Sequence, residues 1–360
     1  MKPTEIHFER MVFMLEEKYF KTSPVITRYP ELILSHKDVP YPSALTFNAG
    51  VVKHEGTYYM MFRNDIGSFE EEKLEPCTNS MGLASNRINL GLAKSSDGIH
   101  WTVEPEPCFA WENEEIIRVS DPRLTVIDGE FYVCFAADTV HGIRGGIAVT
   151  KDFKKFDIKS LALPDNRNMA LFPEKINGHF VRLERPMPIY SRTGPYHKFD
   201  IWLSDSPDLV YWGNPRLVLG TEDVPFCNDK IGPGAPPIKT DKGWLMIYHA
   251  VDVDPSRGKN GWEDKWQKRY TIGIALLDLE DPSRVIGMSR VPLMVPEGHY
   301  ETEFGFRWNA LFPCAMLLDD DNQVRIYYSA GDSVIRLATA DLDDLIGLCS
   351  EPGPQHWHEF

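Results

Sequence analysis

The 360-residue chain is short of several features that would fix its class at once. Its six cysteines, Cys77, Cys108, Cys134, Cys227, Cys314 and Cys349, contain no CxxC pair, which excludes a zinc ribbon and a thioredoxin-type centre. The even count permits disulfides, but a chain this long buries a sizeable core without staples. Free buried thiols are therefore expected. No stretch of ~18 apolar residues is present, so no transmembrane helix is expected. Acids interrupt the apolar run of the N-terminal MKPTEIHFERMVFMLEEKYF, which does not read as a secretion signal. A cytoplasmic location is therefore expected. There is no Gly-rich P-loop and hence no implied nucleotide. The 11 histidines are scattered, with no HExxH, so no metal site is expected. Positive charge is also scarce: 38 Lys and Arg against 53 Asp and Glu leave a net charge of −15. Such a surface repels nucleic acid and anionic membranes, so neither is an expected partner. Any anion site must then be built from cations gathered locally against the global field.

What is present is a repeat. With 42% hydrophobic and 25% charged residues the composition is that of a soluble globular protein. Five segments share one form, an apolar run, a tight turn and an aromatic-rich run: VVKHEGTYYMMFR (51–63), LTVIDGEFYVCFAAD (124–138), PEKINGHFVRLER (173–185), PIKTDKGWLMIYHA (237–250) and LLDDDNQVRIYYSA (317–330). Each reads as a β-hairpin. Each is followed by a small-residue strand and an Asp-containing turn: LGLAKSSDGIHW, GIAVTKDFKKF, IWLSDSPDLVYW, IGIALLDLEDPSRV and IRLATADLDDL. Five repeats of two strand pairs predict an all-β, five-bladed β-propeller. A β-sandwich with long loops accounts less well for five matched pairs. The polar insertions 64–80 and 253–269 read as loops on one face. Residues 1–360 are taken as one propeller domain, with a helical N-terminal extension over 1–23 and a C-terminal tail over 346–360. Apolar positions Ile6 to Phe20 fit an amphipathic helix loosely, as a cap or as a subunit contact.

Charged residues at the ends of the innermost strands are expected to converge on the central channel. Arg63, Asp121, Arg185, His249 and Asp332 are assigned there. Arg167 and Lys230 join them, the latter in the rigid turn KIGPGAPPIKTDKGW. A hydrolytic glycosidase uses two carboxylates. One acid facing several cations points instead to an anion in the second role, and phosphate suits Arg and Lys. Trp262, Trp266 and Trp308 are candidates for stacking on sugar rings.

Together these segments resemble glycoside hydrolase family 130, the β-mannoside phosphorylases and related mannosidases. The resemblance covers about residues 24–345 and is carried by FNAGVV, FRND, GLAKSSDGIHW, SDPR, NRNMALFPEKINGHFVRLERP, KIGPGAPPIKTDKGWLMIYHAV, YTIGIALLDLEDPSRVI and YYSAGD. It is nearest to the mannosylglucose and mannooligosaccharide phosphorylases. The resemblance implies a five-bladed propeller with Asp121 as catalytic acid. It implies phosphate held by Arg167, Asn168, Arg185, Lys230, His249 and Tyr270, and mannose contacts from Asn48, Arg63 and Asp332. The implied reaction is reversible, inverting phosphorolysis of a terminal β-1,4-mannoside to α-mannose 1-phosphate and a shortened acceptor. Inorganic phosphate is then a co-substrate and no cofactor is needed. Homo-oligomers are common in the family, so self-association is a further expectation. The family's Glu-Asp-Pro-Arg appears here as Ser120-Asp121-Pro122-Arg123, and its Asn-Pro-Ala as Asn48-Ala49-Gly50. The rival readings are a β-mannosidase with Asp332 or Glu184 as second carboxylate, and a sugar-binding propeller without chemistry.

Overall fold

The computed structural model describes residues 16–188, 199–258, 260–263 and 266–356. Most of the expected N-terminal helix lies outside them. Its described end is a 3-10 turn, Glu17–Phe20, with Tyr19 buried against Phe226.

Five antiparallel sheets, each built around four strands, form the blades of the expected propeller. From the channel outward, the first blade runs Leu45–His54, Thr57–Asp65, Ile88–Ser95 and Thr102–Val103. The second runs Ile116–Ile127, Glu130–Thr139, Gly142–Thr150 and Asp157–Leu161. The third runs Asn166–Leu171, Phe180–Pro186, Ile201–Ser206 and Gly213–Leu219. The fourth has Lys230–Pro233 innermost, then Trp244–Val253, Lys268–Leu277 and Val285–Met288. The fifth takes Leu311–Leu318, Gln323–Ala330 and Val334–Asp341 from the C-terminal part of the chain and Thr27–Arg28 from the N-terminal part, with Thr27 opposite Thr339. This shared blade closes the ring and leaves no open seam.

Both sequence repeats have a physical cause. The inner hairpins of the first three blades turn through Glu55-Gly56, Asp128-Gly129 and Asn177-Gly178, each pair with both φ positive. That is the turn whose twist matches paired strands. After the third strand of every blade an Asp carboxylate accepts from two backbone N–H groups ahead of it: Asp97, Asp152, Asp208, Asp278 and Asp341. These side chains supply the turn's hydrogen bonds locally. Between blades the core is aromatic and aliphatic. Trp244, fully buried, meets Phe172 edge-on at 5.0 Å between the third and fourth blades. All six cysteines are free thiols. No helix among the described residues is long and apolar enough to cross a membrane.

The C-terminal tail is tied down through residue 356. Glu351 bridges Met288, and His356 Nε2 lies 3.1 Å from Asp223 Oδ2.

Candidate active site

An inner strand leaves one face of the propeller, turns, and returns as the second strand. Its first residues and the last residues of the second strand therefore open on the same face. The register makes this explicit: Phe47 faces Arg63, Arg167 faces Arg185, and Gly232 faces His249. The expectation that all five charged ends sit on innermost strands is corrected here. Asp121 does; Arg63, Arg185 and His249 are on second strands, and Asp332 is in the turn after one.

Three of the inner strands carry the same irregularity. Each has a bulge in which two residues oppose one, at 48–49, 121–122 and 168–169. The first bulged residue has positive φ: Asn48 at 49°, Asp121 at 54° and Asn168 at 57°. Asn and Asp tolerate this region better than other side chains, and the bulge re-aims the side chain. Asp332 (φ 48°) follows Gly331 (φ 62°) in its own tight turn. A Cβ on Gly331 would lie 2.5 Å from Phe304 O, so this turn requires glycine.

These devices surround a cavity of about 550 Å³, lined by Asn48, Arg63, Asp121, Arg167, Asn168, Arg185, Lys230, Tyr270 and Asp332 among others. His249, the tenth predicted residue, is fully buried behind Arg185. Arg118, Glu263, Lys268 and Arg307, which are not among the residues predicted from sequence, also line the cavity. Glu263 and Lys268 sit in the insertion 253–269 and Arg307 in the connection between the fourth and fifth blades, outside the repeat, while Arg118 lies at the start of the second blade's innermost strand. Among the three candidate tryptophans, Trp266 lines the cavity; Trp262 packs instead on Phe69 and Phe306.

Asp121 is 5% exposed and its carboxylate is closely held. Asn48 Nδ2 donates to Oδ1 at 2.8 Å, Arg63 Nη1 reaches Oδ1 at 3.3 Å, and Arg167 Nη2 pairs with Oδ2. Burial alone would raise its pKa, but Arg167, Arg63 and the Asn48 bond together hold it well below the usual carboxylate range. Arg63 is itself gripped by both oxygens of Asp65, at 2.6 and 2.8 Å. Across the cavity Arg307 joins Asp332 (3.1 Å) to Glu263 (2.7 Å). Burial pushes the Asp332 carboxyl up, against the pull of Arg307 and Arg63.

The opposite wall is different. Arg185 is 5% exposed, and among the described residues it has no carboxylate partner. Its Nη1 donates to His249 Nε2 at 3.0 Å, and its Nε has no partner among the described residues. Burial and the neighbouring Arg167 bring its pKa down to about 10. Since Nε2 accepts, the His249 proton sits on Nδ1. Burial, then Arg185 and Lys230, push the His249 pKa well below its usual value, so the ring is neutral. Lys230 lies 4.0 Å from Asp229, whose carboxylate is taken by Lys268 at 2.9 Å. Burial, then Arg185 and Lys268, bring the Lys230 pKa down to about 6. Gly232 makes the approach possible, because a Cβ there would lie 2.4 Å from His249 Cε1 and 2.9 Å from Arg185 Cδ. A wall in which buried Arg185 and partly buried Lys230 are underpaired suits an anion by its chemistry.

Comparison with known proteins agrees with this construction. The sequence model of glycoside hydrolase family 130, described as a β-1,4-mannooligosaccharide phosphorylase, matches residues 20–351. The chain belongs to glycoside hydrolase family 130. A β-1,4-mannooligosaccharide phosphorylase of Ruminococcus albus is 32% identical over 345 residues, 92% of each chain. A 1,2-β-oligomannan phosphorylase of Thermoanaerobacter sp. is 32% identical over 325 residues, covering 87% of this chain and 97% of its own. The solved structure of a β-1,2-mannobiose phosphorylase from Listeria innocua, in complex with β-1,2-mannobiose, matches with a TM-score of 0.74 at 26% identity, over 90% of this chain and 99% of that one.

As a family 130 enzyme the chain can be tested for a second carboxylate. Glu184 does not serve. It alternates with Arg185 along its strand and points to the other face of the blade. There it is bound by Arg182 and Asn166, each at 2.9 Å.

Proposed function

We propose that this family 130 enzyme is an inverting β-mannoside phosphorylase acting on terminal β-1,4-mannosides, with mannosyl-glucose or mannooligosaccharides as substrate. The observation that carries the reading is the wall of Arg185 and Lys230, backed by neutral His249, facing the closely held acid Asp121. Phosphate seats against Arg167, Asn168, Arg185, Lys230 and Tyr270, with His249 supporting Arg185 from behind. One phosphate oxygen attacks the anomeric carbon as the bond to the glycosidic oxygen breaks. The leaving oxygen takes a proton that starts on Asp121 and passes through a sugar hydroxyl. The products are α-mannose 1-phosphate and the shortened acceptor. Asn48, Arg63 and Asp332 hold the mannosyl unit.

The acid must be protonated to act, yet the empty site favours its carboxylate. Bound phosphate resolves this by drawing the Arg167 guanidinium toward its own oxygens and placing negative charge nearby, both of which raise the Asp121 pKa. In the synthetic direction the same carboxylate-favouring setting suits a base. The β-1,4 linkage rests on the family description and the R. albus relative, while the β-1,2 relatives provide the competing case.

The test is a comparison of kcat/KM for β-1,4-mannobiose, β-1,4-mannosyl-glucose and β-1,2-mannobiose at saturating phosphate. A clear preference for a β-1,4 substrate supports the assignment. Preference for β-1,2-mannobiose moves the enzyme to the other linkage and leaves the phosphorolytic reading standing.

A further inference from the structure

The geometry assigns Ser329, in the blade that closes the ring, as a positioning residue that sets the orientation of the Asn48 amide and through it the hydrogen bond to Asp121. Ser329 lies on the second strand of the fifth blade and is fully buried. It meets Asn48 across the blade boundary, 281 residues away in sequence. Its hydroxyl accepts from the Asn48 backbone N–H at 2.5 Å and is 2.9 Å from Asn48 Oδ1.

The donors and acceptors here have one consistent arrangement. With the Asn48 N–H already donating to Ser329 Oγ, the hydroxyl proton is free to go to Asn48 Oδ1. The neighbouring Cys314 thiol, 3.4 Å from Ser329 Oγ, has its nearest acceptor in Phe312 O at 3.1 Å and is a weaker, 3.9 Å donor to Asn48 Oδ1, on the same side as Ser329. Asn48 Oδ1 is thereby turned toward Ser329, and Nδ2 toward Asp121 Oδ1 at 2.8 Å. In the flipped amide an oxygen would face the carboxylate, an arrangement that only a protonated Asp121 could satisfy. Ser329 therefore selects the amide orientation that favours the ionised acid. It touches neither the acid nor the cavity. The other charges acting on Asp121 are Arg63, Arg167, Arg123 and Arg185, which favour the carboxylate, and Asp332, which opposes it. None of these bonds to the Asn48 amide or to the Ser329 hydroxyl.

This inference rests on Asp121 being the acid. The experiment is a double-mutant cycle in the full chain between Ser329→Ala and Asn48→Gly, glycine being chosen because residue 48 has positive φ. Each single variant is expected to lose roughly tenfold in kcat/KM for phosphorolysis. The double variant is expected to lose no more than Asn48→Gly alone. The basic limb of the pH profile, which marks loss of the acid's proton, is expected to move to higher pH in Ser329→Ala. Ser329→Cys, similar in shape and a weak donor, should lie between; it carries the comparison if the alanine variant unfolds on heating well before the parent. Additive losses, or a basic limb that stays in place, overturn the role of Ser329. An Asp121→Asn variant with full activity overturns the underlying assignment instead.

Discussion

The two walls of the cavity are built on opposite electrostatic terms. On the side of the first, second and fifth blades every named charge is answered: Asp121 by Arg63 and by Arg167 reaching over from the third blade, Arg63 by Asp65, and Asp332 by Arg307. On the side of the third and fourth blades Arg185 has a neutral histidine for company, and Lys230 faces an Asp229 already engaged with Lys268. The first wall is complete without a ligand and holds geometry. The second holds underpaired basic groups, whose desolvation cost an arriving anion would offset. One chain with a net charge of −15 thus keeps a local concentration of positive charge where its co-substrate would bind.

The largest test of this contrast is Asp121→Asn. It should lower kcat/KM for phosphorolysis by roughly 10²–10⁴-fold while phosphate binding, followed by calorimetry, is kept or tightened. Loss of phosphate binding with the acid would merge the two walls into one unit. Next, Lys230→Met should raise the phosphate KM by roughly ten- to a hundredfold with a smaller change in kcat. In phosphate-free buffer this variant should unfold no earlier than the parent, since it removes an amine whose charged form the empty site disfavours. Arg167→Met should do the reverse, costing about 2 kcal/mol in denaturant unfolding because Asp121 stays buried with fewer partners.

A pH effect sharpens the same point. In the empty protein the Lys230 pKa is brought down to about 6, mainly by burial and then by Arg185 and Lys268. Above that pH an arriving anion must bring a proton with it. Sulfate, which does not titrate near neutrality, should therefore inhibit less well as the pH rises from about 6 to 8. Lys230→Met should abolish that dependence. For the stability of the empty protein the sign is opposite: the unfolded chain binds the extra proton in this window, so this group makes the fold more stable as pH rises. The smallest effect belongs to the rim. The Glu263–Arg307 pair is partly exposed, so Glu263→Gln should change sugar KM by no more than about fivefold.

How much of this could be read from the chain depends on how local its causes are. The hairpin turns and the five Asp turns depend on a few adjacent residues, and they gave the blade count. The closing strand Thr27–Arg28 has two residues and no pattern of its own. The innermost strand of the fourth blade, Lys230–Pro233, is cut short before Pro236-Pro237. Neither is visible as a strand in sequence. The predicted site residues come from segments far apart in the chain, and nine of the ten line one cavity. Their placement on inner or second strands was misjudged because both kinds of strand end at the same face. The three bulges did leave a trace: FNAGVV, SDPRLT and RNMALF place Asn or Asp at one offset of the repeat. Ser329 and Arg307 left none, since their partners, Asn48 and Glu263, lie 281 and 44 residues away.

The central claim is that the underpaired wall receives phosphate and that the reaction consumes it. Phosphorus and proton NMR on the wild-type enzyme with β-1,4-mannobiose test this directly, with and without inorganic phosphate. The account predicts α-mannose 1-phosphate in step with phosphate consumption, and no cleavage in its absence. Free mannose released at the same rate without phosphate would contradict it.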